Sequence, residues 1–403
     1  MKGIEYLRNK LNKHKQRNKV RYGYYEMKKQ DREMGLTIPI ELRAQYGATL
    51  GWCAKAVDVL ADRLYFKRFD NDLFQVNEIF NLNNPDIFFD SAIISALISS
   101  CSFVYILKDE EGRVRLQVLE SDHATGVIDP ITNLLVEGYA VLDTDDRGHP
   151  SLEAYFVKGR TDYYVDKEYS YSIENTSPYA LLVPILYRPD AKRPFGHSRI
   201  TRACMYYQRY AKRTLERADI TAEFYSFPQK YILGTSPDSE KIDTWKATIT
   251  TMLEITKDDE GDNPTVGQFS TPSMSPFTEQ LRTAAAGFAG ETGLTLDDLG
   301  FVSDNPSSSE AIKASHENLR ATARKAQRTF GSGFLNVAYL ACCVRDDFAY
   351  RRDRFTELVP KWAPVFEPDA STLSLIGDGA IKLNQAMPGI FDEQKFEDLT
   401  GIE

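Results

Sequence analysis

At 403 residues the chain is long enough for two or three domains with a substantial core, and 42 % apolar and 27 % charged residues are ordinary values for a globular protein. A formal charge of −9 argues against a protein that grips nucleic acid over its whole surface, and five cysteines without a CxxC pair or a histidine at ligand spacing speak against a disulfide framework and a zinc site. The most apolar stretch, residues 88–107, is broken by Asp90 and several serines, and the charged start has no apolar leader, so the chain reads as soluble and intracellular where it is made.

Residues 1–33 hold eleven Lys/Arg against four Asp/Glu, a local +7 that leaves the rest of the chain at about −16. This basic arm suits a nucleic acid, an acidic neighbour, or simply a solvated amphipathic helix. Residues 1–85 read as mainly helical, with i, i+3/i+4 apolar spacing at 40–46 and from Trp52 to Leu64. An apolar helix is expected over 86–100. The period then changes to two, with strands over 103–107, 114–119, 136–142 and 152–157, continuing through 161–165 and 169–173. Turn signals at 109–112 and 143–148 leave hairpin-length gaps, so the sheet is expected to be antiparallel.

Ser198 is the expected N-cap of a helix running to about Phe227, which Pro228 closes. A strand at 230–234, a helix near 239–253, an acidic loop (Asp258, Asp259, Glu260, Asp262) and a strand at 266–269 form a small α/β unit. The acidic loop lacks the ligand order of an EF-hand and reads as solvated. A helix follows Pro276 and ends among Gly287, Gly290 and Gly293. Asn305-Pro306 then halts the chain, three serines offer N-cap hydroxyls, and Glu310 leads a long charged helix from Ala311 to about Val344. The tail from Pro360 is mixed, with a short helical end.

No P-loop, Rossmann fingerprint, HExxH or GxSxG occurs, and the five histidines are scattered. Asp122-His123 is a poor dyad, since neighbours on a strand point to opposite faces. No cofactor, metal or catalytic residue is expected. A metal-dependent nucleic-acid enzyme would need clustered carboxylates that the pattern does not provide.

The order of helix, small α/β insert, helix, polar loop and long helix, after a helix-plus-sheet domain, resembles the portal proteins of tailed bacteriophages, in their short-crown branch. The residues carrying the resemblance are 102–112 (SFVYILKDEEG), 127–130 (VIDP), 195–200 (FGHSRI) and 303–313 (SDNPSSSEAIK), within the span 85–345. The fold class it implies is α+β: a wing of helices and antiparallel sheet (1–194), stem helices (195–227 and 276–301), a clip (228–275), a tunnel loop (302–310), a long wing helix (311–359) and a reduced crown (360–403).

The resemblance further implies a non-enzymatic ring of about twelve copies at one capsid vertex of a virion, assembled in the host cytoplasm. Double-stranded DNA would be packaged and ejected through it. Its partners would be the terminase large subunit, head-tail connector proteins, and major capsid and scaffold proteins, with no membrane. Ser303, Asp304, Asn305, Pro306, Ser307, Ser308 and Ser309 would line the narrowest point of the channel. Lys313 would touch phosphates weakly, or face solvent or a neighbouring subunit. Residues 198–226 hold six Lys/Arg and three Asp/Glu, whereas 276–298 hold Arg282 against Glu279, Glu291, Asp297 and Asp298. Arg202, Arg209, Arg213 and Arg217 would therefore pair with acids such as Glu279 and Glu291, across subunits or within one. Another phage head or tail protein, without a channel, would share the acidic and tyrosine-rich composition.

Overall fold

A computed structural model of the chain describes residues 2–28, 47–226, 230–233, 265–268, 270, 273–301, 314–366, 368 and 370–401. It divides into two units, one from the described parts of 1–29, 51–205 and 292–403, the other from those of 30–50 and 206–291.

The first unit is built around α4 (Pro85–Ser99). Asn84 in the left-handed region and Pro85 at the first helical position start this helix, and its nearly unbroken apolar sequence buries Phe88, Phe89, Ala92, Ile93, Ala96, Leu97 and Ile98. It packs on β2 (Cys101–Lys108) and β3 (Val114–Glu120). With β9 (Leu182–Leu186) these form an antiparallel sheet of order β3-β2-β9. A second antiparallel sheet runs β4-β5-β6-β7-β8, from β4 (Ala124–Ile128) and β5 (Leu135–Thr144) through β6 (Pro150–Val157) and β7 (Arg160–Val165) to β8 (Glu168–Glu174). The expected strands are therefore present but shared between two sheets. Buried hydroxyls join them, with Tyr105 of β2 and Tyr163 of β7 2.6 Å apart.

The long helix Glu317–Arg345 covers the first sheet and buries Phe330, Phe334, Val337 and Cys342. Apart from Arg345 in its last turn, its charged residues lie in its first half. It ends at Arg345, well before residue 359. The chain then returns as strand Val359–Trp362, pairing antiparallel with β1 (Phe66–Asp70), Phe66 opposite Trp362. Phe66, Phe89, Phe334 and Trp362 meet there as an aromatic cluster, with ring centroids 4.3 Å apart for Phe66–Phe89. Beyond it lie helices Ala370–Ala386 and Glu393–Thr400.

In the second unit, α5 (Arg202–Ser226) continues from the first, and its described face there buries Gln208, Ala211, Thr214 and Glu216. Helix Ser275–Thr292, which we label α6, buries Ala284, Ala285, Phe288 and Ala289. The two helices meet closely: a Cβ on Gly287 would lie 2.4 Å from the Tyr207 ring, so glycine is required there. A two-stranded ladder pairs Lys230–Leu233 with Thr265–Gln268.

The N-cap of α5 differs from expectation. Thr201 Oγ1 accepts from the Cys204 amide at 3.2 Å and caps the helix. Ser198 is buried and donates instead to the Ile98 carbonyl at 2.5 Å, taking up an acceptor at the end of α4. Both residues suit a cap chemically. Ser198 falls three residues before the cap position that Thr201 occupies.

Candidate functional site

The basic amino-terminal segment forms α1 (Ile4–Tyr25), and it is docked rather than solvated. Leu7 and Leu11 are buried against Tyr139, Val141, Tyr155 and Val157, alternate residues on the same face of β5 and β6. Two carboxylates lie on that face beside the rings. Glu153 accepts from the guanidinium of Arg8 (Nε at 3.1 Å, with Nη2 closer) and from the Tyr139 hydroxyl. Glu137 accepts from the Lys2 amide at 2.6 Å, the Gly3 amide at 2.9 Å and the Tyr155 hydroxyl at 2.8 Å. The open end of α1 thus meets a negative charge where its dipole favours one. Burial alone would raise the Glu137 carboxyl, but these three donors outweigh it and hold the group below the usual glutamate range. Arg8 thus finds an acidic neighbour in its own chain, while residues 12–17 of the same helix are exposed.

On α5, Arg202, Arg209, Arg213 and Arg217 fall at spacings of 7, 4 and 4 and form one stripe, roughly opposite the row Cys204, Gln208, Ala211, Thr214. Arg202 and Arg217 are exposed and Arg209 and Arg213 half-buried. Among the described residues, Arg202, Arg213 and Arg217 form no ion pair. On α6, Glu279 is exposed and accepts from the Ser275 hydroxyl at 3.3 Å, and Glu291 is exposed as well. Lys212 lies 3.8 Å from Glu216, whose carboxyl burial pushes upward.

The channel residues Ser303 to Ser309, with Lys313, lie outside the described residues, and so does the acidic loop Asp258, Asp259, Glu260 and Asp262. Asp122 and His123 occupy a turn before β4 rather than a strand. His123 Nδ1 is 3.0 Å from Glu120, so the two neighbours form no dyad. All five cysteines are buried free thiols, and burial pushes Cys343 up to about 11 and Cys342 to about 12. Among the described residues no group of His, Cys, Asp and Glu gathers at metal-binding distance, and no helix is long and apolar enough to cross a membrane.

The chain is 25 % identical to the portal protein of Mycobacterium phage L5 over 347 residues, 78 % of this chain and 69 % of the relative. It is 24 % identical to the portal protein of Mycobacterium phage D29 over 344 residues, 79 % of this chain and 69 % of that one. Both relatives are phage portal proteins, and this chain is similar to each over more than three quarters of its length. No protein-family model matches the chain. Among solved structures it is similar to a chain of the virion of a native gene transfer agent particle, with a TM-score of 0.48 and 14 % identity over 90 % of this chain and 93 % of that one. A chain in the neck of an empty gene transfer agent particle gives a TM-score of 0.49 and 13 % identity over the same shares.

What the sequence reading missed was the pair of carboxylates receiving α1. The signal was present: Glu137-Gly138-Tyr139 and Glu153-Ala154-Tyr155 repeat a Glu-x-Tyr pattern in two neighbouring strands. In a strand this places acid and ring on one face, and across the ladder each ring reaches the other strand's acid.

Proposed function

We propose that about twelve copies of this chain close into a portal ring at one capsid vertex, and that double-stranded DNA is packaged and ejected through its centre. The observation that carries this reading is the relationship to two phage portal proteins along 78 and 79 % of the chain. In it, residues 1–194 and 311–359 are the wing, 195–227 and 276–301 the stem, 228–275 the clip, 302–310 the tunnel loop and 360–403 a reduced crown.

The physics of a conduit supports it. Each phosphate neutralised by the wall would add affinity and hence friction, whereas an acidic subunit repeated around a ring keeps DNA sliding. Small polar side chains at Ser303, Asn305, Ser307, Ser308 and Ser309 narrow the channel without adding positive charge. The arginine stripe of α5 supplies cations for the next copy, because Arg202, Arg213 and Arg217 have no acid of their own chain among the described residues. We assign Glu279 and Glu291 as their partners across the subunit boundary. The ring performs no chemistry in this account, and ATP hydrolysis belongs to a terminase large subunit docked on the clip. Connector proteins replace that motor after packaging, while scaffold and major capsid protein hold the wing.

Immunogold labelling with antibodies to this chain tests the reading on intact virions whose tails have been detached. Label confined to one vertex per capsid is the expected result. Label spread over the shell or along the tail would assign the chain to another part of the particle.

A further inference from the structure

Beside the docking face of α1 lies a cavity of about 250 Å³, walled by one stripe of that helix, the α4–β2 junction, the start of β4 and the turn at 193–196. Lys10, His14, Arg17 and Arg21 recur at spacings of 4, 3 and 4 along the helix, and Arg193 closes the opposite side. Neither Asp nor Glu lines it. The neighbouring carboxylates stand outside the lining: Glu120 pairs with His123, Asp190 lies 2.6 Å from His197, and Asp122 is hydrogen-bonded to the Asn18 side chain. The cations meet only neutral groups. Arg21 Nη1 donates to the Ser99 carbonyl at 2.7 Å, Lys10 Nζ donates to the Gly126 carbonyl at 2.5 Å and lies 4.4 Å from the centre of the Phe195 ring, and Arg193 reaches His197 Nδ1 at 3.4 Å. Arg17 has no ion-pair partner among the described residues.

The wall is built, not incidental. Gly196 has φ 78°, and a Cβ there would lie 2.1 Å from the Tyr187 carbonyl and 3.0 Å from that of Ser100, so only glycine lets the turn close over the cavity. Burial first, and then Arg17 and Arg193, push the Arg21 guanidinium down to about 10. Burial, with Arg17, Lys10, Arg21 and Lys13 around it, likewise lowers the His14 imidazole. Like charges held together in a concave, partly desolvated site lack a counter-charge, and an oxyanion accepting several N–H donors at once supplies one.

We propose that this cavity binds a phosphoryl group, held by Lys10, Arg17, Arg21 and Arg193, with His14 as a further hydrogen-bond partner. The group is either a free phosphate or a backbone phosphate of nucleic acid presented at the mouth of the cavity. A guanidinium offers two parallel N–H donors to such an anion, which a carbonyl acceptor does not exploit. The cavity is outside the channel residues, so its occupancy does not depend on the ring assignment.

Full-length protein is titrated by calorimetry with inorganic phosphate, and by fluorescence anisotropy with a short labelled duplex, both at constant ionic strength. Arg17→Gln/Arg193→Gln removes two exposed cations, and binding should weaken by at least about tenfold with unchanged circular dichroism. Arg17→Lys/Arg193→Lys should recover part of the loss. Arg113→Gln/Arg147→Gln, which removes as much charge outside the cavity, should bind like the parent. Phosphate binding alone identifies a free anion as the ligand. Duplex binding that is lost in the same variant and displaced by phosphate identifies a nucleic-acid backbone. If neither probe binds, or if Arg17→Gln/Arg193→Gln binds as the parent does, the proposal is overturned.

Discussion

Arg8→Met tests how α1 is held to the sheet. Arg8 and Glu153 have side chains only 15 % and 2 % exposed, so this is a buried ion pair and not a surface one. Methionine keeps most of the aliphatic stem and removes the guanidinium, leaving the Glu153 carboxylate with the Tyr139 hydroxyl as its remaining donor. Breaking such a pair from one side costs about 3–5 kcal/mol, because an uncompensated charge stays buried. At the lower end, the undocked population of α1 rises about 150-fold. Hydrogen exchange followed by mass spectrometry reads this directly in peptides covering residues 4–25. Adding Glu153→Gln should return most of the protection, since a neutral amide no longer needs the cation and still accepts from Tyr139. A loss below about 1 kcal/mol would mean that the pair behaves as an exposed one, and the docking argument would fail. Failure of Glu153→Gln to rescue would also refute it.

Gly287→Ala should lower the melting temperature through a loss of about 1–3 kcal/mol, because its Cβ would overlap the Tyr207 ring, and Tyr207→Leu in that background should recover part of it. Glu137 makes stability depend on pH. Its folded value lies below its unfolded one, so its contribution is complete above about pH 4.3 and is lost as pH falls through the folded value. Glu137→Gln should therefore flatten the acid limb of a urea-midpoint profile and leave its alkaline side unchanged; parallel limbs in parent and variant would contradict the assignment. Arg209→Glu/Arg213→Glu should prevent ring closure while preserving helicity, as judged by light scattering and circular dichroism, and intact rings would remove the inter-subunit role proposed for the stripe.

Local pattern predicts elements here wherever one residue's environment is set by near neighbours. Helix α4 is legible because Pro85 starts it and its sequence is mostly apolar, with exposed positions confined to Asp86, Ile87 and Asp90. Strands β2 and β3 show their ends through the Asp109 turn, whose carboxylate accepts from the Arg113 amide at 2.8 Å. The strand Phe66–Asp70 escaped notice because its partner begins at Val359 and its own five residues include Lys67 and Arg68. No local period reports a pairing across nearly 300 residues. The division into two sheets is equally silent, since hairpin spacing is the same whether the next strand extends one sheet or opens another. The charge of α1 was plain, but its destination depends on which face of β5 and β6 turns inward. The four arginines of α5 were visible together because helical spacing alone aligns them.

Native mass spectrometry of the purified chain, with negative-stain microscopy of the same sample, addresses the central claim most directly. The account predicts closed rings of about twelve copies with a stain-filled central hole. A species that stays monomeric or dimeric, and still forms no ring when scaffold or major capsid protein is added, would contradict it.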